Sequence, residues 1–233
     1  QGSFHYGPGD IKYKDLDGSG VIDGGKGTAD DHGDLKVIGN ILPRYEYSFH
    51  LGGSWKGFDL DLFFQGVGKR DAWTISSLNF PLMRGADLAV YSHQNSYNRV
   101  LYSSDWKTIK GYEINQANRY PRLFPDNDVA GTVSGINNGR NNYYPQSRYL
   151  INMSYLRLKN ITFGYTLPTA LTQKAYIQRA RIYFSGNNLF LLHKGHDLPV
   201  DPEVNTGEGE LYGGWGRTAP ITRTFSFGVQ VTL

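Results

Sequence analysis

The nine residues Asp15-Leu16-Asp17-Gly18-Ser19-Gly20-Val21-Ile22-Asp23 hold the densest set of chemically useful groups in the chain. Counted from Asp15, oxygen-bearing side chains stand at positions 1, 3 and 5. A glycine stands at 6, Val21 offers its carbonyl at 7, and an acid stands at 9. Hard oxygen donors at that spacing, with a glycine for the sharp turn, are what a calcium loop of the EF-hand type needs. The twelfth position is Lys26, which cannot ligate, but Asp30, Asp31 and Asp34 follow shortly. An enlarged loop brings one of these in. The expected ligand set for Ca2+ is therefore Asp15, Asp17, Ser19, Val21, Asp23 and Asp34; the alternative is a solvated acidic turn.

Other chemistry is sparse. His50, His93, His193 and His196 are scattered, and no Ser/His/Asp or paired-carboxylate spacing recurs, so no enzyme is expected. His193 and His196, read as loop residues, are taken as solvated rather than metal-binding. Cysteine is absent, which rules out disulfides and thiolate chemistry. A net charge of +3 is too small to imply a nucleic-acid partner.

The elements around these residues read as strands. The 29 glycines and 17 tyrosines, with only 19% charged residues, suit β structure better than helix. No apolar run is long enough for a transmembrane helix. A mean hydropathy of −0.47 does not exclude a membrane barrel, because half of every barrel strand is polar. From 222 onward, Phe225, Phe227, Val229, Val231 and Leu233 occupy one parity and Thr224, Ser226, Gly228, Gln230 and Thr232 the other. A strand sends alternate side chains to opposite faces, so one face is apolar and one polar. Residues 44–56 alternate in the same way, with Tyr45, Tyr47, Phe49, Leu51 and Trp55 set against Glu46, Ser48 and His50. Lys56-Gly57 turns the chain into Phe58, Leu60, Leu62 and Phe64.

Residues 149–167 predict another strand, although Arg157 and Lys159 share a parity with Tyr155 and Ile161. Either those basic chains reach out to an interface, or a bulge shifts the register. Residues 178–192 predict a further strand, with Ile182, Phe184, Gly186, Asn188 and Phe190 on one parity. Residues 66–147 show no sustained alternation. Their aromatics (Trp73, Tyr91, Tyr97, Tyr102, Trp106, Tyr112, Tyr143 and Tyr144) either form a sugar- or peptide-contacting surface or pack the loop onto itself.

Five long strands with alternately short and long connections fit an outer-membrane barrel, which has short turns at one end and long loops at the other. A soluble sandwich has no reason to sort its loops this way, and a long unstructured stretch counts against a compact soluble domain. The predicted fold class is all-β, an antiparallel transmembrane β-barrel segment with long extracellular loops. Its parts are an extracellular loop over 1–43 carrying the Asp-rich motif, a hairpin over 44–67, an extracellular loop over 68–148, a hairpin over 149–193, an extracellular loop over 194–219 and a terminal strand over 220–233. The opening Gln1-Gly2-Ser3-Phe4 reads as mid-chain sequence, so a piece of a longer polypeptide is expected.

The order of motifs carries a resemblance. Gly9-Asp10-Ile11-Lys12-Tyr13-Lys14-Asp15 leads into the Asp-rich loop, followed by Val37-Ile38-Gly39-Asn40 and Pro43-Arg44-Tyr45. Then come Lys56-Gly57-Phe58-Asp59-Leu60, Phe63-Phe64-Gln65-Gly66 and the run from Tyr155 to Pro168. Ser185-Gly186-Asn187-Asn188-Leu189 and Arg223-Thr224-Phe225-Ser226-Phe227-Gly228 complete the series, with Tyr120-Pro121-Arg122 in the central loop. Together these resemble the carboxyl-terminal part of SusC/RagA-type TonB-dependent transporters of Bacteroidetes outer membranes. The chain departs from the family pattern in the expansion from Gly24 to Gly33, where Asp34 resembles the family's closing acid pushed downstream, and in ending at Leu233 rather than an aromatic residue.

The resemblance implies the last five or so strands of a barrel of about 22 strands holding a plug domain. It also implies an outer-membrane location, with contact to lipid, to the remainder of the same barrel and plug, and to TonB through a missing amino-terminal part. A SusD-type surface lipoprotein is the implied partner, and the implied function is energised import of oligosaccharides or peptides. A passive porin or structural surface barrel, and a soluble carbohydrate-binding β domain, are the competing expectations.

Overall fold

The structure, a computed structural model, describes residues 9–73, 98–102, 109–114, 142, 144–203 and 219–233. The chain forms two compact units, one drawn from residues 1–39, 73–150 and 207–216, the other from 40–72, 151–206 and 217–233.

The second unit is built on a five-stranded antiparallel sheet. In spatial order its strands are β1 (Glu46–Trp55), β2 (Phe58–Val67), β7 (Tyr155–Thr166), β8 (Arg179–Lys194) and β9 (Thr224–Thr232). β1 and β2 pair without a register shift from Glu46↔Val67 to Trp55↔Phe58. Their turn puts Lys56 at φ 48° and Gly57 at φ 87°. Two successive positive φ values are the signature of the type I′ turn, whose twist matches that of the strands it joins. The β7–β8 connection is also short, with a single helical turn α1 (Thr169–Thr172) and a 3-10 turn Gln173–Ala175. It lies at the same end of the sheet, where the Thr166 N–H donates to the Gly57 carbonyl at 2.7 Å. The long connections all leave from the opposite end.

Register fixes which residues share a face, because side chains of directly paired residues point the same way. Phe49↔Phe64, Leu51↔Leu62, Leu60↔Phe163, Phe58↔Tyr165, Phe163↔Phe184, Phe184↔Phe227 and Ile182↔Val229 place one continuous apolar surface across five strands. Its rings interact: Phe49 and Phe64 stack at 4.7 Å between centroids, and Phe184 meets Phe227 at 5.2 Å. No second layer covers this face among the described residues. Phe227 is 83% exposed, Trp55 70% and Val229 67%. The opposite face is polar, carrying Ser54, Asp59, Asp61, Thr162, Arg181, Ser185 and Ser226.

β7 resolves the parity problem at Arg157 and Lys159. The register slips at Lys159, so that Asn160 pairs with Phe63 but Leu158 with Phe64. The same site is irregular towards β8, where Asn188 and Leu189 stand opposite the slip and Asn188 has φ 55°. One extra residue exchanges the two faces. Before the bulge Leu156 and Leu158 lie on the apolar side, and Tyr155 and Arg157 on the polar side. The bulge, not a side chain reaching out to an interface, explains the pattern.

Other boundaries differ from the alternation. The stretch from 149 is not one strand: Ser147–Tyr149 is a 3-10 turn, and β6 (Ile151–Asn152) pairs with β3 (Asp71–Ala72). Within 66–147, where no alternation was visible, β4 (Asn98–Tyr102) and β5 (Ile109–Ile114) form an antiparallel hairpin. β3 and β6, at two residues each, are too short to show a period, and β4 (Asn-Arg-Val-Leu-Tyr) does not alternate. His193 lies inside β8 rather than in a loop, with Nε2 3.3 Å from Ser154 Oγ.

In the first unit, the Asn142 side chain ties the segment after the Asp-rich region's start: its Oδ1 accepts from the Ile11 N–H at 2.8 Å, and its amide donates to Asp10 at 3.0 Å. Of the aromatic residues singled out in the sequence, Tyr91, Tyr97, Trp106 and Tyr143 lie outside the described residues, as does Tyr120-Pro121-Arg122. Tyr144 is described, 6.5 Å from Tyr13 between ring centroids. No described helix is long and apolar enough to cross a membrane.

Candidate functional site

Two places concentrate polar chemistry: the Asp-rich loop of the first unit and the polar face of the sheet in the second.

In the loop, carboxylate oxygens of Asp15, Asp17 and Asp34 all lie within 4.8 Å of one another. The backbone wraps around these acids. The Asp15 carboxylate accepts from the N–H groups of Gly18 at 2.6 Å and Gly20 at 2.8 Å. Gly20 has φ 81°, the left-handed conformation that the sixth position of such a loop requires. Asp17 accepts from the Ser19 N–H at 2.9 Å, and this bond, first among its causes, holds the Asp17 carboxyl below the usual aspartate range. Asp34 closes the loop from a distance. Its Oδ1 takes the Leu16 N–H at 2.5 Å and its Oδ2 the Asp23 N–H at 2.9 Å.

The six residues expected to act together therefore separate. Asp15, Asp17 and Asp34 converge. The Ser19 hydroxyl donates to the Val21 carbonyl at 2.9 Å, linking that pair to each other. The Asp23 carboxylate instead accepts from the Gly25 N–H at 2.8 Å. The residues between are a structured insert: the Asp34 N–H donates to the Asp23 carbonyl at 2.9 Å, and Lys26 pairs with Asp31 at 3.4 Å. Among the described residues no ion pair reaches Asp15, Asp17 or Asp34. Three carboxylates this close repel unless a cation or protons intervene, and an all-oxygen donor set suits a hard divalent ion such as calcium.

On the polar face several of the charged groups come in matched pairs. Arg181 on β8 reaches across β7 to Asp59 on β2, donating from Nε at 2.9 Å and forming an ion pair through its terminal nitrogen. Gly164 makes room for this bridge, since a β-carbon there would collide with both partners. His50 faces Asp61 at 3.6 Å. At the long-connection end, the segment after β8 folds back and places two acids on two bases. Arg157 donates to Asp201 at 2.5 Å, with its Nε 3.0 Å from Glu203 but poorly aligned for a hydrogen bond. Lys159 donates to the other Glu203 oxygen at 2.6 Å. Arg157 is only 4% exposed, and Ile151, Met153, Leu198 and Pro202 are buried at the same end. A buried guanidinium needs such partners, because an unpaired one would be strongly destabilising. The sequence flagged Arg157 and Lys159 by their wrong parity but gave no sign of their partners, 44 residues away.

No protein-family model matches the chain. It is 31% identical over 239 residues to TonB-dependent receptor P3 of Formosa agariphila, covering 96% of this chain and 19% of that protein. It is 26% identical over 230 residues to TonB-dependent receptor P26 of the same organism, covering 97% and 20%. The chain thus spans about a fifth of the length of the curated relatives it matches. Among solved structures, the RagAB peptide transporter superposes with a TM-score of 0.50 at 23% identity, over 84% of this chain and 18% of that one. The RagAB peptide importer in the closed-closed state superposes with a TM-score of 0.54 at 22% identity, over 91% and 20%. At such identities the likeness is one of fold.

Proposed function

We propose that this chain, a relative of the SusC/RagA-type TonB-dependent receptors by sequence and of the RagAB barrel by fold, is part of the wall of an outer-membrane nutrient importer. The observation that carries this reading is the single-layer sheet whose continuous apolar face has no protein cover among the described residues. In water such a face would aggregate; in a bilayer it is the lipid-contacting surface of a barrel. The polar face then lines the lumen, where Arg181 neutralises Asp59, and Arg157 and Lys159 neutralise Asp201 and Glu203. Among the described residues β1 and β9 have a strand partner on one side only, and the rest of a barrel would pair with their outer edges.

The whole protein would enclose a plug, draw energy through TonB and work with a SusD-type lipoprotein. Its cargo would be an oligosaccharide or peptide; the neighbouring RagAB structures are named as a peptide transporter and importer. Asp15, Asp17 and Asp34 would hold Ca2+, with Ser19, Val21 and Asp23 completing or supporting the set. An ion there would relieve the mutual repulsion of the three acids and fix a glycine-rich loop.

Uptake of labelled oligosaccharides and peptides by cells carrying the whole protein tests this reading. Import that stops when TonB is deleted or the inner-membrane potential is collapsed is the expected result. Uptake indifferent to both would make the barrel a passive porin, and a whole protein that remains soluble without detergent would point to a carbohydrate-binding domain.

A further inference from the structure

The apolar face is not uniform. Beside the Lys56-Gly57 turn it opens into a recess of about 460 Å³ walled by Leu51, Trp55, Phe58, Leu60, Leu62 and Phe163. Gly53 forms its floor, and a β-carbon at Gly53 would meet nothing within 4 Å. Every other outward residue of β1 from Tyr47 to Trp55 is large, so the missing side chain leaves a notch between two strands. The rim is cationic. The Lys56 ammonium sits 4.6 Å from the centre of the Trp55 ring, and Trp55 faces outward, so the charge stands on the apolar side at the mouth of the notch. Asp59, between Phe58 and Leu60 in sequence, lies on the opposite, polar face and is paired there with Arg181. The same end of the sheet carries exposed Lys174 and Tyr176. An aromatic and basic rim above an apolar slot is complementary to one kind of molecule: an acyl chain below, an anionic phosphate above.

We infer that this recess is a binding subsite for an anionic phospholipid, with one acyl chain lying over Gly53 between β1 and β2 and the phosphate held by Lys56. The inference rests on the membrane reading above. It adds that one lipid is held in place where the rest of the face is merely wetted by the bilayer. Occupation fills the void and satisfies the ammonium at once.

The test uses the whole protein in nanodiscs of phosphatidylethanolamine and phosphatidylglycerol in equal parts, with lipids retained after detergent extraction counted by native mass spectrometry. Lys56→Asn removes the charge while suiting the left-handed turn position, and retention of phosphatidylglycerol is expected to fall about fivefold. Gly53→Leu places its β-carbon in open space, extends into the notch and should lower retention of both lipids at this site. Val229→Leu, on the same face but away from the recess, should change nothing. Unaltered retention in either of the first two variants, or an equal loss in all three, overturns the inference. A whole protein that stays out of nanodiscs overturns the membrane reading and this subsite with it, whereas insertion with undiminished retention overturns the subsite alone.

Discussion

Replacing Phe227 by arginine bears directly on which face meets lipid. Phe227 is the fourth of the nine residues of β9, close to mid-strand, outward-facing and paired with Phe184. On the lipid side of a barrel an arginine near the bilayer midplane costs about 2–4 kcal/mol. Loss of the 5.2 Å ring contact with Phe184 adds about 0.5–1.5 kcal/mol. Phe227→Arg should therefore destabilise the whole barrel by about 3–5 kcal/mol. Ser226→Arg, one residue earlier on the polar face, meets water and should cost under about 1 kcal/mol. Reversible urea unfolding in phospholipid vesicles, followed by tryptophan emission, reads both. Equal tolerance of the two arginines, or a larger cost at Ser226, would refute the assignment of faces. A cost at Phe227 that persists in a soluble, lipid-free protein would refute the lipid as its cause.

Three further outcomes follow from particular contacts. Arg157→Met strips two acids of a buried partner and should destabilise the barrel by about 3 kcal/mol in the same assay, with Arg157→Met and Asp201→Asn together recovering part of the loss. Asp34→Asn removes a charge from the three-acid group and one of two backbone acceptors, and should weaken terbium or calcium binding at least about tenfold by luminescence or calorimetry; unchanged affinity would remove Asp34 from the site. Because the folded carboxyl of Asp17 titrates below its unfolded value of 3.8, its bond to Ser19 contributes fully above that value and is lost as pH falls through the lowered folded pKa. In calcium-free protein, hydrogen-exchange protection around Ser19 should thus hold from neutrality to about pH 4 and fall only in stronger acid, a dependence that Asp17→Asn abolishes.

Much was legible because barrel strands obey local rules. Alternation from Phe225 to Val231 identified both faces of β9, and Lys56-Gly57 located the first turn to the residue. Asp34 stood out as a displaced acid because Lys26 occupied the place where a ligand was needed, and its carboxylate does join those of Asp15 and Asp17. Asp23 fitted the spacing equally well yet turns to Gly25, a choice made by the insert that follows it.

What the sequence determined by itself is therefore which residues share a side of an unbulged ribbon such as β1 or β9, since that depends only on a two-residue period. Tertiary structure alone decided the rest. The slip at Lys159 that moves Arg157 to the polar side, the joining of β3 to β6, and the meeting of Arg157 with Asp201 and Glu203 all depend on pairing across tens of residues. So does the absence of any described layer over Phe227. Periodicity says that a face is apolar; only the placement of distant strands says whether a described part of the protein covers it.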